Sequence, residues 1–241
     1  MTLVIESLDL TLSKRNIVKD VTLNVNRGEV VGLLGPNGAG KTSTFNMIVG
    51  LIKPNKGNIY LEGKSIKNFS MTKRVQFGIG YLPQEPSVFR NLTVIENLDI
   101  ALSQAKLSIS LHRKKREELI EEFNLVSFLY RFGHQLSGGE RRRCEVARAL
   151  AVGRLGPQYL LLDEPFAGVD PIAINDLQNL IGKLKNKNIG ILITDHNVRA
   201  TLAITNRSYI LNKGEILADG SSEKLKRNQV VKENYLGNSC E

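Results

Sequence analysis

The sequence predicts an α/β fold: a parallel sheet with both faces covered, an antiparallel β subdomain at the N-terminus and an inserted α-helical subdomain. Three observations carry this. Short, wholly apolar runs at 30–34, 159–162 and 189–193 read as strands buried on both faces. A helical pattern over about 172–184 separates the last two, giving the strand–helix–strand alternation of a parallel sheet. Between 92 and 155 the pattern stays helical, with charged faces and no β-branched runs.

Taken in order, residues 3–5 and 8–12 read as one strand and 18–25 as a second, with Ser13-Lys14-Arg15-Asn16 between them and Asn26-Arg27-Gly28 as the stop. The buried strand at 30–34 runs into a glycine-rich turn. A helix over about 40–51 follows and ends before Pro54-Asn55-Lys56-Gly57. Residues 58–61 read as a strand, and 62–77 carry no clear pattern. The expected organisation is one domain over 1–236, its core at about 1–84 and 156–222 and its helical subdomain at about 85–155. Residues 223–241 form a short polar tail with helical character.

The 241 residues are 41% hydrophobic and 24% charged, an ordinary globular balance that argues against disorder. The net charge of +9 invites a phosphate-rich, nucleic-acid or anionic-lipid partner. Its basic clusters, at 112–116, 141–143, 183–185 and 224–227, are scattered. The first is followed by Glu117, Glu118, Glu121 and Glu122, the spacing of a solvated helix with i,i+4 pairs. No base-stacking aromatic motif accompanies them, so no nucleic-acid partner is expected. No apolar run approaches the roughly 18 residues of a membrane-spanning helix, and MTLVIESLDL has neither region of a signal peptide. Cys144 and Cys240 are too few for a disulfide framework. A cytoplasmic protein is expected.

Gly35-Pro36-Asn37-Gly38-Ala39-Gly40-Lys41-Thr42 fits G-x-x-x-x-G-K-[ST] between a buried strand and a helix, the context the motif requires. Its glycines let successive backbone N–H groups turn toward phosphate oxygens, and the helix N-terminus adds its partial positive charge. Lys41 is then placed to reach the β- and γ-phosphates, Thr42 to bind Mg²⁺ and Ser43 to add a phosphate contact. The implied ligand is a nucleoside triphosphate with Mg²⁺.

A second constellation lies at the strand ends. Tyr159-Leu160-Leu161-Leu162 leads into Asp163 and Glu164. Because strand neighbours face opposite ways, the two acids are expected to take different roles. Asp163 would hold Mg²⁺ through water, and Glu164 would act as general base on the attacking water. His196 ends the next strand, where ligands sit in open α/β sheets, and can hydrogen-bond the γ-phosphate. Leu136-Ser137-Gly138-Gly139-Glu140 opens a further helix with Ser137 as N-cap, a second anion-binding helix end.

These motifs, with Gln84 in Tyr81-Leu82-Pro83-Gln84 and Gly168-Val169-Asp170, follow the order of the ATP-binding cassette ATPases, which the chain resembles over nearly its whole length. The resemblance implies a P-loop NTPase with a RecA-like core that hydrolyses ATP. It implies a head-to-tail homodimer around ATP, with Ser137, Gly138 and Gly139 of each copy completing the other's site. It also implies that Gln84 contacts Mg²⁺ and relays nucleotide state to a partner.

Flanking words narrow the resemblance. Residues 78–85, 87–90, 139–143, 164–171 and 194–199 are similar to the ATPase subunits of bacterial lipopolysaccharide exporters. In those, two inner-membrane subunits dock a short helix near the positions of Phe89 and Arg90, so a peripheral place on the cytoplasmic face of the inner membrane is implied. The alternatives are a branched-chain amino-acid importer ATPase and the soluble ATPase of iron–sulfur cluster assembly. Two departures stand out. Leu12 occupies the place of the aromatic that usually stacks on adenine, with Arg15 as a candidate cation–π partner. The connection over 151–158 is longer than usual and is expected to be a surface loop.

Overall fold

The computed structural model describes residues 1–153 and 156–236. Strands β1 (Thr2–Leu12) and β2 (Arg15–Asn26) pair antiparallel. They join β4 (Lys56–Leu61) and β5 (Lys64–Ser65) in a four-stranded sheet of order β2-β1-β4-β5. The second sheet has order β10-β9-β3-β8-β7-β6, from β3 (Val30–Leu34), β6 (Ile79–Leu82), β7 (Tyr159–Asp163), β8 (Gly190–Thr194), β9 (Arg207–Asn212) and β10 (Glu215–Gly220). It is parallel except for β10 at one edge.

The all-apolar runs are explained by two cores. Along β7, Tyr159 and Leu161 enter the core shared with the antiparallel sheet, whereas Leu160 and Leu162 enter the core beneath the helices. Ile191 and Ile193 against Leu192 repeat this in β8. With both faces covered, no position has a reason to be polar. The helical core is built from α3 (Val94–Ser103), α4 (Ile109–Glu122), α5 (Gly138–Ala151) and α6 (Pro171–Asn186).

Helix α1 (Lys41–Val49) follows β3 and ends at Gly50 with φ 87°. Its last carbonyls would be orphaned in the interior. They are met by Arg74 of α2 (Met71–Gln76), 1% exposed, which donates to Met47 and Ile48 at 2.7 Å each. Burial lowers this guanidinium to about 10. The unassigned stretch 62–77 thus contains β5 and the anchor of the phosphate-loop helix.

Helices α7 (Val198–Ile204), α8 (Ser222–Arg227) and α9 (Gln229–Val231) complete the described chain, so helical character begins at the expected tail. Strands β6, β9 and β10 had no assignment from the sequence. Two residues of the long 151–158 connection, Arg154 and Leu155, lie outside the described residues, as do residues 237–241 with Cys240. Lys115 of α4 holds the start of this connection through the carbonyls of Ala151 (3.4 Å) and Gly153 (2.9 Å). Cys144 is wholly buried, and that burial pushes its thiol up to about 12. None of the helices is long and apolar enough to cross a membrane among the described residues.

Candidate active site

β3 ends where the phosphate loop begins. Gly40 caps α1 at φ 106°, and a Cβ there would come 2.8 Å from the Ile17 carbonyl, so only glycine lets the loop close against β2. Lys41 is buried, and its ammonium donates to the carbonyls of Gly35 (2.8 Å) and Pro36 (3.0 Å). Burial lowers its pKa, and the charges of Glu164 and Asp163 oppose that shift. A phosphate entering the loop competes with two carbonyls for an ammonium that burial has already stripped of water.

Residues 37–43 line one cleft together with Ile17, Gln84, Glu164 and His196. Its volume of about 450 Å³ is in the range of cofactor sites. The cleft opens at the C-terminal ends of the parallel strands, the expected place for a ligand in such a sheet. Within it the Glu164 carboxylate is held on both sides. Oε1 lies 2.7 Å from His196 Nε2, and Oε2 accepts from Gln84 Nε2 at 2.9 Å. The His196 side chain is half exposed and that of Glu164 almost wholly buried.

The reason Asp163 and Glu164 separate differs from the one strand alternation gives. β7 ends at Asp163, and Glu164 takes a left-handed φ of 52° while its N–H donates to the Thr194 carbonyl at 2.8 Å. Such a conformation is costly for a residue with a Cβ and is kept where the surroundings impose it. The left-handed turn, then, sends Glu164 into the cleft.

Asp163 stays in the sheet, beside Thr194 in register. Its two carboxylate oxygens and the Thr194 hydroxyl are buried without a hydrogen-bond partner. Burial first, and the Glu164 charge second, push Asp163 up to about 6. The Tyr81 hydroxyl, Lys41 and Arg142 pull the other way, but none completes a hydrogen bond to either oxygen. An orphaned buried carboxylate is what a hydrated divalent cation would satisfy. Mg²⁺ takes one or two carboxylates plus phosphate and water rather than an all-protein cage. Accordingly, no cluster of three His, Cys, Asp or Glu occurs among the described residues. Thr42 and Gln84 line the cleft and Asp163 does not; the hydroxyl, amide oxygen and carboxylate they carry are the oxygen donors that cation takes.

Asp195 fastens the two loops that flank the cleft. Its oxygens accept from Phe166 N and Asn197 N, each at 2.8 Å, and burial raises its pKa.

Ser137, Gly138 and Gly139 lie outside this cleft. Ser137 caps α5 in a reciprocal box with Glu140, at 3.3 and 2.9 Å. A Cβ on Gly138 would stand 2.6 Å from the Gly168 carbonyl, and one on Gly139 2.7 Å from Ala173. These glycines therefore seat the start of α5 against the turn that Asp170 caps into α6.

Ile17, Asp195, Arg142 and Glu145 were not singled out from sequence as site residues. Ile17 supplies the apolar wall of the cleft, while Leu12 is exposed at the end of β1 and Arg15 pairs with it in register. Arg142, grouped with a solvated basic cluster, is instead 5% exposed. It donates to the carbonyls of Pro165 (3.0 Å), Pro83 (3.3 Å) and Glu164 and pairs with Glu145 at 2.9 Å. Glu145 in turn accepts from Ser87 N and Val88 N. The pair ties the segment carrying Gln84 to the end of β7. Its only sequence signal was the i,i+3 spacing of Arg142 and Glu145 within an arginine run.

Beyond Val88, Phe89 is 44% exposed and Arg90 is exposed. The Arg148 guanidinium lies 4.6 Å over the Phe89 ring, and buried Asn97 holds both the N–H (2.8 Å) and carbonyl (3.1 Å) of Phe89.

The chain's similarities agree with this geometry. The family model for ABC transporters matches residues 18–167. The lipopolysaccharide export system ATP-binding protein LptB of Haemophilus influenzae is 52% identical over 233 residues, 96% of this chain and 95% of that one. Among solved structures, an ATP-binding cassette of an ABC transporter in its ADP conformation superposes with a TM-score of 0.87 at 29% identity, covering 98% of this chain and 99% of that one. The dimeric structure of a bacterial ABC transporter cassette gives 0.79 at 25% identity, covering 91% and 98%. With its phosphate loop, strand-end carboxylates and helix-capping glycines in the family's order, this chain belongs to the ATP-binding cassette ATPases of ABC transporters.

Proposed function

We propose that this chain is the ATP-hydrolysing subunit of a lipopolysaccharide exporter, peripheral on the cytoplasmic face of the inner membrane. The observation that carries the hydrolytic reading is the Glu164 carboxylate, held in the phosphate-loop cleft between Gln84 and His196. In this reading Lys41 leaves its two carbonyls for the β- and γ-phosphates, Asn37–Ser43 cradle the triphosphate and Glu164 takes the proton of the attacking water. His196 holds the γ-phosphate in line. Asp163, Thr42 and Gln84 hold Mg²⁺, which when bound neutralises charge on the β- and γ-phosphates.

Ser137, Gly138 and Gly139 lie outside the cleft of their own chain; in this reading a second copy delivers them head to tail, with ATP between, which the likeness to a dimeric cassette supports. The cargo reading is supported by the similarity to the Haemophilus influenzae protein over almost the full length of both chains. The exposed Phe89 and Arg90 offer the docking point for two membrane subunits.

The test is a pull-down of tagged Glu164→Gln protein from detergent-solubilised native membranes with ATP present, followed by mass spectrometry. Two lipopolysaccharide-exporter membrane subunits in the eluate would support the proposal. Importer subunits, or a soluble cluster-assembly scaffold without membrane protein, would leave the ATPase chemistry standing and overturn the cargo.

A further inference from the structure

Immediately before Ser137, the chain grips the exposed Phe89–Arg90 segment from the side. The Arg90 carbonyl accepts from two donors of one residue, His134 N at 3.0 Å and His134 Nδ1 at 2.9 Å. That pairing requires the imidazole to carry its proton on Nδ1, since an unprotonated Nδ1 would face the carbonyl as a second acceptor. The Phe132 ring stacks on the imidazole at 5.6 Å and 8° and fixes its plane.

The backbones also touch, through bonds that persist without the His134 side chain. Gly133 N donates to the Leu92 carbonyl at 2.9 Å, and Thr93 and Phe132 form an antiparallel bridge. A Cβ on Gly133 would fall 2.7 Å from the Phe89 carbonyl and 3.0 Å from Arg90 Cα. The two segments are therefore in backbone contact, and only two residues separate His134 from Ser137, the cap of α5. Asn97 also holds Phe89, and Glu145 holds Ser87 and Val88 before it. The His134 bond has no part in the cleft chemistry.

We propose that His134 is a positioning residue that carries movement of the Phe89–Arg90 segment into Ser137, so that a docked membrane subunit sets where the α5 start is offered to the other copy's nucleotide. The inference rests on the docking reading above. It adds a specific link: the side-chain bond to the Arg90 carbonyl stiffens the backbone junction between the two segments. His134 touches no residue of the nucleotide cleft and acts only when a docked subunit moves the Phe89–Arg90 segment, so its loss leaves nucleotide affinity and the turnover of the isolated chain unchanged.

The experiment compares ATP turnover of the isolated chain with that of its complex with co-purified membrane subunits. The variants are His134→Leu, which has no donor, and His134→Asn, whose Nδ2 stands where the imidazole Nδ1 does. Gly133→Ala pries the same segments apart, and Phe89→Ala reports docking by co-purification. The expected result is a complex that still forms with His134→Leu but turns over about 2- to 10-fold more slowly, the cost of one hydrogen bond. His134→Asn should restore most of that loss, and Gly133→Ala should share it. Wild-type turnover in the His134→Leu complex would overturn the proposal, as would an equal loss in the isolated chain. If wild-type protein captures no membrane subunit, or Phe89→Ala captures as much as wild type, the docking reading fails and takes this link with it.

Discussion

Glu164 Oε1 lies 2.7 Å from His196 Nε2, which brings the acid that follows β7 and the histidine that follows β8 into one contact. The other Glu164 oxygen is taken by Gln84. Each Glu164 oxygen keeps a second lone pair for the proton of a water, so Gln84 and His196 set the orientation of the base. His196→Ala and Gln84→Ala should each lower turnover while leaving nucleotide affinity within a few-fold, because Lys41 and the loop amides remain. Equal loss of ATP binding in a fluorescent-nucleotide titration would assign the two side chains to ground-state binding instead.

Lys41 has the opposite signature. Its ammonium is buried and rests on two carbonyls, so replacing it removes the charge that phosphate would pair with. Lys41→Ala should cost affinity for ATP more than for adenosine, measured by calorimetry. Equal losses for both would place the lysine away from the phosphates.

Asp163 makes a pH prediction. Its folded value, about 6, lies above the ordinary 3.8, so the fold favours the protonated acid. That contribution to stability is complete below about pH 4 and is lost as pH rises through about 6. Without Mg²⁺ and nucleotide, thermal stability should therefore carry a component that falls across this window. Asp163→Asn, neutral throughout, should lack it and melt higher above pH 6. Superimposable Tm profiles for the two proteins would show that Asp163 is not raised.

The Arg142–Glu145 pair is nearly without solvent, with side chains 6% and 1% exposed. Removing one partner of a buried pair leaves an uncompensated charge and costs about 3–5 kcal/mol. Arg142→Leu should destabilise by that order in urea unfolding, and the double change with Glu145→Leu should cost less than the two singles added. Strict additivity would mean that the two side chains act independently.

How far the sequence reached follows from what each signal depends on. The phosphate loop, the strand-end acids, His196 and the Ser137 cap were legible because their chemistry fixes residue types at fixed spacing next to a strand or helix. The strands β3, β7 and β8 were legible because covered faces leave them without a polar residue before the C-terminal ends of β7 and β8. β6 was not, since its four residues include Gly80 and it reads as part of a motif. Arg74 and Arg142 were missed for a common reason: each is buried by carbonyls from distant segments, and an arginine's sequence neighbours do not reveal them. The left-handed turn at Glu164 was likewise hidden, and strand alternation separated the two acids through the wrong geometry.

The account stands or falls on Glu164 as the base of a site completed by a second copy. The most direct measurement is Mg²⁺–ATP turnover of Glu164→Gln beside wild type, with the oligomeric state followed by size-exclusion chromatography and light scattering. The account predicts turnover lower by about 10²–10⁴-fold, ATP retained, and a dimer that appears only with ATP. Wild-type turnover from a Glu164→Gln monomer would contradict both the base and the shared site.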